Sequence, residues 1–213
     1  LMGNVATATG MSRQLYTAAY AMIGHVRGGL ASATVVGCGG FAALSGSSVA
    51  SALTMGKVSL SEMERFKYDQ RLSTGVVAAG GTLGILIPPS TGFVIFAILT
   101  EQSIGRLFLA GVFPGLLLLT MFVLTVWIIC WIKPELGPRG PRSSGAERLR
   151  ALTGALPILL VIVVTIGGIY GGLFSPVEAA GVGAALVVIY GIVTRTLSFA
   201  AFWHSARSSI VSS

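Results

Sequence analysis

The sequence contains few charged residues: Asp, Glu, Lys and Arg together make up 10% of its 213 residues, compared with about 25% in soluble domains. The mean hydropathy is +0.86, so an ordinary soluble fold is excluded. Cysteine is scarce as well, and Cys38 and Cys130 lie in separate apolar runs without CxxC spacing. This argues against a disulfide framework or a zinc site, and we interpret both side chains as small buried apolar groups. A Walker A lysine is lacking too, which argues against nucleotide binding.

Long charge-free runs are what the sequence has instead. Each of four runs, residues 28–56, 72–100, 107–132 and 151–177, exceeds the roughly 20 apolar residues that cross a bilayer as a helix. A shorter fifth run, residues 179–194, is just long enough to span. The sequence therefore predicts an all-α, polytopic membrane protein. Because the chain opens on Leu1 without a signal-peptide pattern, we expect residues 1–213 to be part of a single transmembrane domain of a longer protein.

The net charge of +7 is concentrated in the segments between these runs. This is the positive-inside pattern of membrane proteins rather than a phosphate-binding face, so nucleic acid is not an expected partner. Segment 133–150 carries five basic and two acidic residues, which predicts a cytoplasmic loop. Counting back one crossing at a time places residues 101–106 outside and residues 57–71 inside. Residues 14–30 and the tail after Arg195 mix charged and apolar residues, which predicts interfacial helices.

Residues 28–60 are interrupted by closely spaced glycines and by the sequence Ser45-Gly46-Ser47-Ser48. A single spanning helix would leave Arg27 and Lys57 on opposite sides of the membrane. A re-entrant helical hairpin would return both to the same side. The charge count puts both in the cytoplasm and therefore favours the hairpin.

Residues 72–100 are interrupted by Pro88-Pro89, which removes two backbone donors and predicts a broken helix made of two half-helices. In hydrocarbon an unpaired backbone group costs several kcal/mol. Broken backbone at membrane depth therefore indicates an ion or substrate site.

The residues at the two interruptions suit a sodium ion. Carbonyl oxygens freed at helix breaks and serine hydroxyls form a cage of hard oxygens without a carboxylate. Ser45 and Ser48 are three residues apart, as are Gly84 and Ile87, so each pair can direct its oxygens toward one point. Half-helices that begin at the interruptions would also attract an anionic carboxylate. The alternative is that Ser and Gly here only allow close helix packing.

Glu178 is the one acid close to an apolar span. The sequence Ser175-Pro176-Val177-Glu178 has the pattern of a capping box that begins a helix. A proton relay through the Glu178 carboxyl is the alternative interpretation.

An intramembrane serine hydrolase is a rival function from a different class. Ser47 or Ser48 as a nucleophile would need a base within hydrogen-bond reach, yet His25 and His204 both lie in flanking polar segments. We therefore do not expect an enzyme.

Several stretches together resemble one family of transporters. They are GGL at 28–30, SGSSVA at 45–50, GGTLGILIPPS at 80–90, SIGRLF at 103–108, PG at 114–115 and GGIYGGLFSPVEAA at 167–180. Over about Gly3 to Thr194 the chain resembles the large membrane subunit of tripartite ATP-independent periplasmic (TRAP) transporters, the DctM-like family. The blocks around Pro88 and Glu178 are the most specific.

The resemblance implies a sodium-driven, elevator-type importer of small organic acids, C4-dicarboxylates or related carboxylates, in the bacterial inner membrane. Its implied partners are a small four-helix membrane subunit and a periplasmic solute-binding protein, with sodium as the coupling ion and no other cofactor. Carried over onto this sequence, the implied sodium site uses Ser45 and Ser48, with backbone oxygens of Gly84, Ile87 and Pro89. Many relatives read Ser-Gly-Ser-Ala where this chain has Ser-Gly-Ser-Ser, which leaves both carried-over serines in place.

The family also has an inverted second repeat with its own hairpin and ion site. This chain contains one predicted hairpin and one predicted broken helix, so we expect it to lack that half and not to transport alone. A membrane scaffold subunit without transport activity is the nearer of the two rival functions, and the hydrolase is the more remote.

Overall fold

The structure is a computed structural model that describes residues 2–211. These residues form ten α-helices and one short 3₁₀-helix without any β-strand, which confirms the all-α prediction. In chain order the helices are α1 (Met2–Ala8), α2 (Met11–Ile23), α3 (Gly29–Ser45), α4 (Ser48–Arg65), α5 (Gln70–Leu86), α6 (Thr91–Thr100), α7 (Ile104–Ile132), α8 (Gly145–Tyr170), α9 (Pro176–Val193) and α10 (Phe199–Val211). The 3₁₀-helix, Pro134–Leu136, follows α7.

Four segments within residues 2–211 are long and apolar enough to cross a membrane. They are Gln70–Thr100, which contains α5 and α6, and the three single helices Ile104–Ile132, Gly145–Tyr170 and Pro176–Val193. Large apolar side chains on these helices, such as Phe113, Trp131 and Val163, are 68–77% exposed. Lipid contact suits such a surface, whereas water does not. The chain is therefore a multi-pass membrane protein.

Residues 28–56 form two helices rather than one. α3 ends at Ser45, α4 begins at Ser48, and the two helices pack against each other as a helical hairpin. Gly46 takes a left-handed φ of 61°, which favours glycine, and Ser47 caps α4 by accepting a 3.4 Å hydrogen bond from Ala50 N. We call Gly46 and Ser47 the hairpin tip. The single-span alternative is excluded, while entry of the hairpin into the membrane from one side stays a prediction.

The next span is interrupted at its two prolines. Asp69 begins α5 as an N-cap, because its Oδ1 accepts hydrogen bonds from Arg71 N (2.8 Å) and Leu72 N (3.2 Å). Helix α5 ends at Leu86 and α6 begins at Thr91. We call residues 87–90, which include a cis peptide bond between the prolines, the proline break.

Helix α5 lies against both helices of the hairpin, and two adjacent glycines make this contact close. A β-carbon added at Gly80 would lie 2.9 Å from Cys38 Sγ on α3, and one at Gly81 would lie 2.7 Å from Ala52 Cβ on α4. Small residues at a helix interface let the backbones approach. This packing brings the end of α5, and with it the proline break, to the hairpin tip.

The connection between α7 and α8, residues 133–144, is tied to the start of the hairpin. Gly28 N donates to Gly137 O and Gly140 N donates to Gly24 O, each at 3.0 Å. These bonds hold the α2–α3 connection against the loop. The basic residues of both segments therefore lie at one end of the helices.

The same loop is tied to the far end of α4. Asp69 N donates to Leu136 O (3.1 Å), and the Tyr68 hydroxyl donates to Pro138 O (2.8 Å) while it accepts from Leu30 N (3.3 Å). Burial raises the pKa of Tyr68 to about 12, so the hydroxyl stays protonated at neutral pH. Both ends of the hairpin thus meet residues 133–144 at one end of the molecule, as the hairpin prediction requires.

The first part of the chain differs from the prediction. Residues 14–30 were expected to form one interfacial helix, but α2 ends at Ile23 and residues 24–28 are not helical. Gly28 has a left-handed φ of 70°, and a β-carbon there would lie 2.8 Å from Cys130 Sγ. The contact with α7 therefore interrupts the helix. The short helix α1 was not predicted.

Two predicted boundaries are also displaced. Helix α4 continues to Arg65, beyond residue 60, because Met55, Ser59 and Met63 follow at intervals of four and are all fully buried on one face. Helix α8 begins at Gly145, inside the predicted loop 133–150. Ser144 and Glu147 form a capping box there, with Glu147 N donating to Ser144 Oγ at 3.2 Å.

We predict that cysteines at Ser61 and Ala146 react with an impermeant thiol reagent only from the cytoplasmic side, and that one at Gln102 reacts from the periplasm. All three positions are exposed, so reactivity reports the side of the membrane rather than burial. Labelling of the full-length protein in intact cells is the measurement. The unsubstituted protein is the control, because Cys38 and Cys130 are both fully buried. Labelling at Ser61 from the periplasm would contradict the hairpin topology.

Candidate functional site

The hairpin tip and the proline break are in direct contact. Thr91, the first residue of α6, donates to Gly46 O through both its N–H (3.2 Å) and its Oγ1 (3.0 Å). A β-carbon added at Gly46 would lie 2.6 Å from Pro89 O. The two interruptions, which are 45 residues apart in sequence, therefore form one site.

A second contact joins α5 to the tip. A β-carbon added at Gly84 would lie 2.7 Å from Ser48 N and 2.8 Å from Ser47 O. These atoms belong to the backbone, which cannot rotate away as a flexible side chain does. Glycine at position 84 is therefore what allows α5 to lie against the start of α4.

The two prolines leave two carbonyl oxygens of α5 without a helical donor. Pro89 has no N–H for Ile85 O, and Ser90 Oγ replaces it with a 2.6 Å hydrogen bond. Pro88 likewise has no N–H for Gly84 O. No hydrogen bond from a side chain within residues 2–211 replaces that donor. Gly84 thus offers a backbone oxygen beside the hairpin tip.

Ser45 and Ser48 lie on either side of the tip, Ser45 as the last residue of α3 and Ser48 as the first residue of α4. Ser45 Oγ lies 3.0 Å from Ser51 Oγ and 3.3 Å from Ser47 O. The half-buried Ser48 hydroxyl has no hydrogen-bond partner within residues 2–211. One hydroxyl is therefore held in place and the other is available to a ligand.

The other two residues of the predicted set belong to the proline break. Pro89 presents its carbonyl oxygen to Gly46, as described above. The Ile87 side chain lies between α3 and α7, with atoms 3.3 Å from a β-carbon added at Gly39 and 3.0 Å from one at Gly115. This packing fixes the chain direction through the break.

Sequence reasoning missed three hydrogen-bonding residues of the site. Thr91 joins the two segments, Ser51 bonds Ser45 within the hairpin, and Ser90 bonds Ile85 O at the proline break. Ser51 is fully buried and Ser90 is 1% exposed. A signal was present for two of them, because a Ser-Thr pair directly after Pro-Pro can supply hydroxyl donors to carbonyls that prolines leave free. Ser51 lies within a helix and carries no comparable signal.

Charge at the site comes from helix ends rather than from side chains. Residues 28–56 and 72–100 contain no charged residue, and residues 2–211 contain no cluster of three His, Cys, Asp or Glu side chains that could hold a metal ion. The C-terminal ends of α3 and α5 carry partial negative charge, and the N-terminal ends of α4 and α6 carry partial positive charge. The site therefore offers separate regions for a cation and for an anion.

The histidines do not supply a base to the hairpin serines. His25 lies in the α2–α3 connection and its Nδ1 is buried without a hydrogen-bond partner, whereas His204 is exposed on α10. Neither contacts Ser47 or Ser48 through a hydrogen bond in the described part of the chain.

Glu178 caps α9. Its Oε2 accepts from both the backbone N–H and the hydroxyl of Ser175, each at 2.8 Å, while Glu178 N donates to Ser175 Oγ at 3.3 Å. The residue is exposed at the start of the helix. This is the geometry of the capping interpretation.

Many secondary transporters are multi-pass helical proteins in which discontinuous helices contact each other. A sequence model of the family described as "Tripartite ATP-independent periplasmic transporter, DctM component" matches residues 1–213. The chain therefore belongs to this family.

Individual relatives agree with the family assignment. The chain is 46% identical over 184 residues to the C4-dicarboxylate TRAP transporter large permease protein DctM of Pseudomonas aeruginosa. The match covers 86% of this chain and 43% of that protein. The chain is 35% identical over 210 residues to the ectoine TRAP transporter large permease protein TeaC of Halomonas elongata, covering 98% of this chain and 49% of that protein. It is 33% identical over 211 residues to the sialic acid TRAP transporter large permease protein SiaM of Vibrio cholerae, covering 99% and 49%.

The chain thus spans about half the length of the curated relatives it matches, or less. These relatives are permease subunits and not enzymes, so the expectation that the chain is not an enzyme is confirmed. The relatives are named for different compounds.

We expect Gly84→Ala to destabilise the full-length protein by about 1–3 kcal/mol, because the added methyl group overlaps the backbone of the hairpin tip. Gly75→Ala is the matched control in the same helix, since a β-carbon there meets nothing within 4 Å. That change should be neutral or stabilising by up to about 1 kcal/mol. Thermal unfolding of both variants in detergent, followed by tryptophan fluorescence, is the measurement. Equal unfolding midpoints would show that the close contact at Gly84 does not contribute to stability.

At the α9 cap we expect Glu178→Gln to keep a hydrogen-bonding side chain and to preserve substrate uptake by the complete reconstituted transporter between about pH 6 and pH 8. Glu178→Leu loses the reciprocal hydrogen bonds and should lower stability by about 0.5–2 kcal/mol. A proton relay needs the ionisable carboxyl, so Gln would then abolish uptake as completely as Leu. Uptake into proteoliposomes across this pH range distinguishes the two roles. A well-folded but inactive Gln variant would refute the capping interpretation.

Proposed function

We propose that the full-length protein is the large membrane subunit of a sodium-coupled TRAP importer that carries small organic acids across the bacterial inner membrane. It works with a small membrane subunit of the DctQ type and with a periplasmic solute-binding protein. The observation that carries the proposal is the contact between the hairpin tip and the proline break.

This contact brings together four helix ends of two polarities. Discontinuous helices of secondary transporters bind coupling ions at unwound carbonyls and helix C-terminal ends, and bind anionic substrate groups at half-helix N-termini. Here α3 and α5 supply the C-terminal ends, while α4 and α6 supply the N-terminal ends. Sodium and a substrate carboxylate can therefore bind next to each other and attract one another.

The proposed sodium ligands are the hydroxyls of Ser45 and Ser48 and the carbonyl oxygens of Gly84, Ile87 and Pro89. All are neutral oxygens, a donor type that suits a hard monovalent cation. Three observations support the set. Gly84 O lacks a helical donor, Pro89 O faces Gly46, and the Ser48 hydroxyl has no hydrogen-bond partner within residues 2–211. Ser51 holds Ser45 Oγ at 3.0 Å without itself joining the set.

Coupling follows from the position of the ion. Sodium between the tip and the break joins two segments that otherwise share only the Thr91 hydrogen bonds and the close backbone contacts. Ion occupancy therefore sets how firmly the N-terminal ends of α4 and α6 are held for a carboxylate. Movement of this unit between the two membrane faces is the elevator step of the proposal.

The substrate class is supported by the relatives. The three relatives described above are named for C4-dicarboxylates, ectoine and sialic acid. Each of these compounds bears a carboxylate. The family's description as a tripartite periplasmic transporter supports a receptor and a second membrane component as partners.

We predict that Ser48→Ala raises the sodium concentration for half-maximal uptake in the complete reconstituted transporter, because a ligand oxygen is lost. Ser45→Ala should act in the same direction. Ser61→Ala is the control, since Ser61 is an exposed serine at the other end of α4. Sodium-dependent uptake of the organic acid that the cognate receptor binds is the measurement.

Two outcomes would contradict the proposal. Unchanged sodium dependence in both Ser45→Ala and Ser48→Ala would reject this ion site. If the complete system neither binds nor moves a substrate with sodium, the scaffold function would be favoured instead.

A further inference from the structure

A groove of about 470 Å³ lies between α5 and α7, away from the hairpin tip. Val76 on α5 and Phe122, Val126 and Ile129 on α7 form its apolar wall, while Arg71 and Lys133 lie among the residues that line it. Its volume falls within the range of roughly 300–1,000 Å³ that small-molecule sites have. The groove thus combines an apolar wall with two cations.

The two cations are available to a ligand. Arg71 and Lys133 are exposed, and neither forms an ion pair or a side-chain hydrogen bond within residues 2–211. Asp69, the one acid that lines the groove, directs its Oδ1 to the backbone N–H groups of Arg71 and Leu72. That carboxylate is therefore engaged with the N-terminus of α5, and the lining has an excess of positive charge.

The position of the groove indicates what binds it. Its two walls belong to the candidate membrane spans Gln70–Thr100 and Ile104–Ile132. Arg71 and Lys133 mark the end of these spans that meets the predicted cytoplasmic segments. Basic pockets between membrane helices at this level bind anionic lipid headgroups, because the cytoplasmic leaflet is rich in them.

We propose that this groove binds an anionic phospholipid. Arg71 and Lys133 contact the headgroup phosphate, and one acyl chain follows the apolar wall of α5 and α7. The proposal does not depend on the sodium site. A segment of the remaining half of the full-length protein is the rival occupant, so the test uses the full-length permease.

The first arm of the test compares lipids by native mass spectrometry of the purified full-length permease with phosphatidylglycerol or phosphatidylcholine. We expect the wild-type protein to prefer phosphatidylglycerol by about ten-fold or more, and the double variant Arg71→Gln/Lys133→Gln to lose that preference. The control is the double variant Arg139→Gln/Arg142→Gln. It removes two exposed cations from the loop between α7 and α8, and neither residue lines the groove. An unchanged preference in the Arg71/Lys133 variant would overturn the proposal.

The second arm fills the groove without changing its charge. Gly75 lines the groove, and a β-carbon there meets nothing within 4 Å, so Gly75→Leu should fold and reduce phosphatidylglycerol occupancy several-fold. Gly181→Leu on α9 is the matched control, because its β-carbon also meets open space. Equal occupancy in the two leucine variants would overturn the proposal.

A third measurement identifies the rival occupant. A cysteine at Gly75 should react with a thiol reagent in delipidated permease and become protected when phosphatidylglycerol is added. Protection that persists without lipid would show that another part of the protein covers the groove, and would also overturn the proposal.

Discussion

A helix break inside a bilayer leaves backbone groups that water cannot satisfy, and this constraint determines the centre of the structure. Two kinds of hydrogen bond meet this demand: Thr91 beside the proline break donates twice to Gly46 O at the tip, and Ser90 donates within its own break to the Ile85 oxygen that Pro89 leaves free. The packing of α5 against both hairpin helices is what keeps the two breaks together.

The same constraint resolves the choice between a packing role and a ligand role for the small residues. Gly84 is small because a side chain would overlap the backbone at Ser47 and Ser48. Its carbonyl is free for a separate reason, since Pro88 four residues later has no N–H. At Gly84 the close packing is required by the hairpin tip, and the available carbonyl oxygen results from Pro88. A packing role for this residue therefore does not exclude a ligand role.

Local features of the fold could be predicted from sequence, and contacts across the chain could not. Pro88-Pro89 predicted an interruption because proline lacks a donor, and the capping box at Ser175 and Glu178 has a short, local pattern. The partner of Gly46 is Thr91, 45 residues away, and no local pattern records that distance. The extension of α4 was hidden because its buried face, Met55 to Met63, lies in a segment that also carries Lys57 and Glu62. The two interruptions that carry the five candidate ligands lie in contact, and the ligand set itself stays a prediction.

The hairpin is held more firmly at its base than at its tip. At the base, hydrogen bonds from Gly28, Gly140, Asp69 and Tyr68 tie both ends of the hairpin and the adjoining α2–α3 connection to the loop after α7. At the tip, the two Thr91 bonds contribute only about 1–3 kcal/mol together. An ion present at about 100 times its dissociation constant would add about 2.7 kcal/mol to the state that binds it. In the proposed mechanism an ion at the site would therefore stabilise the joined tip and break by an amount similar to that of the Thr91 bonds, in addition to the packing of α5 against the hairpin.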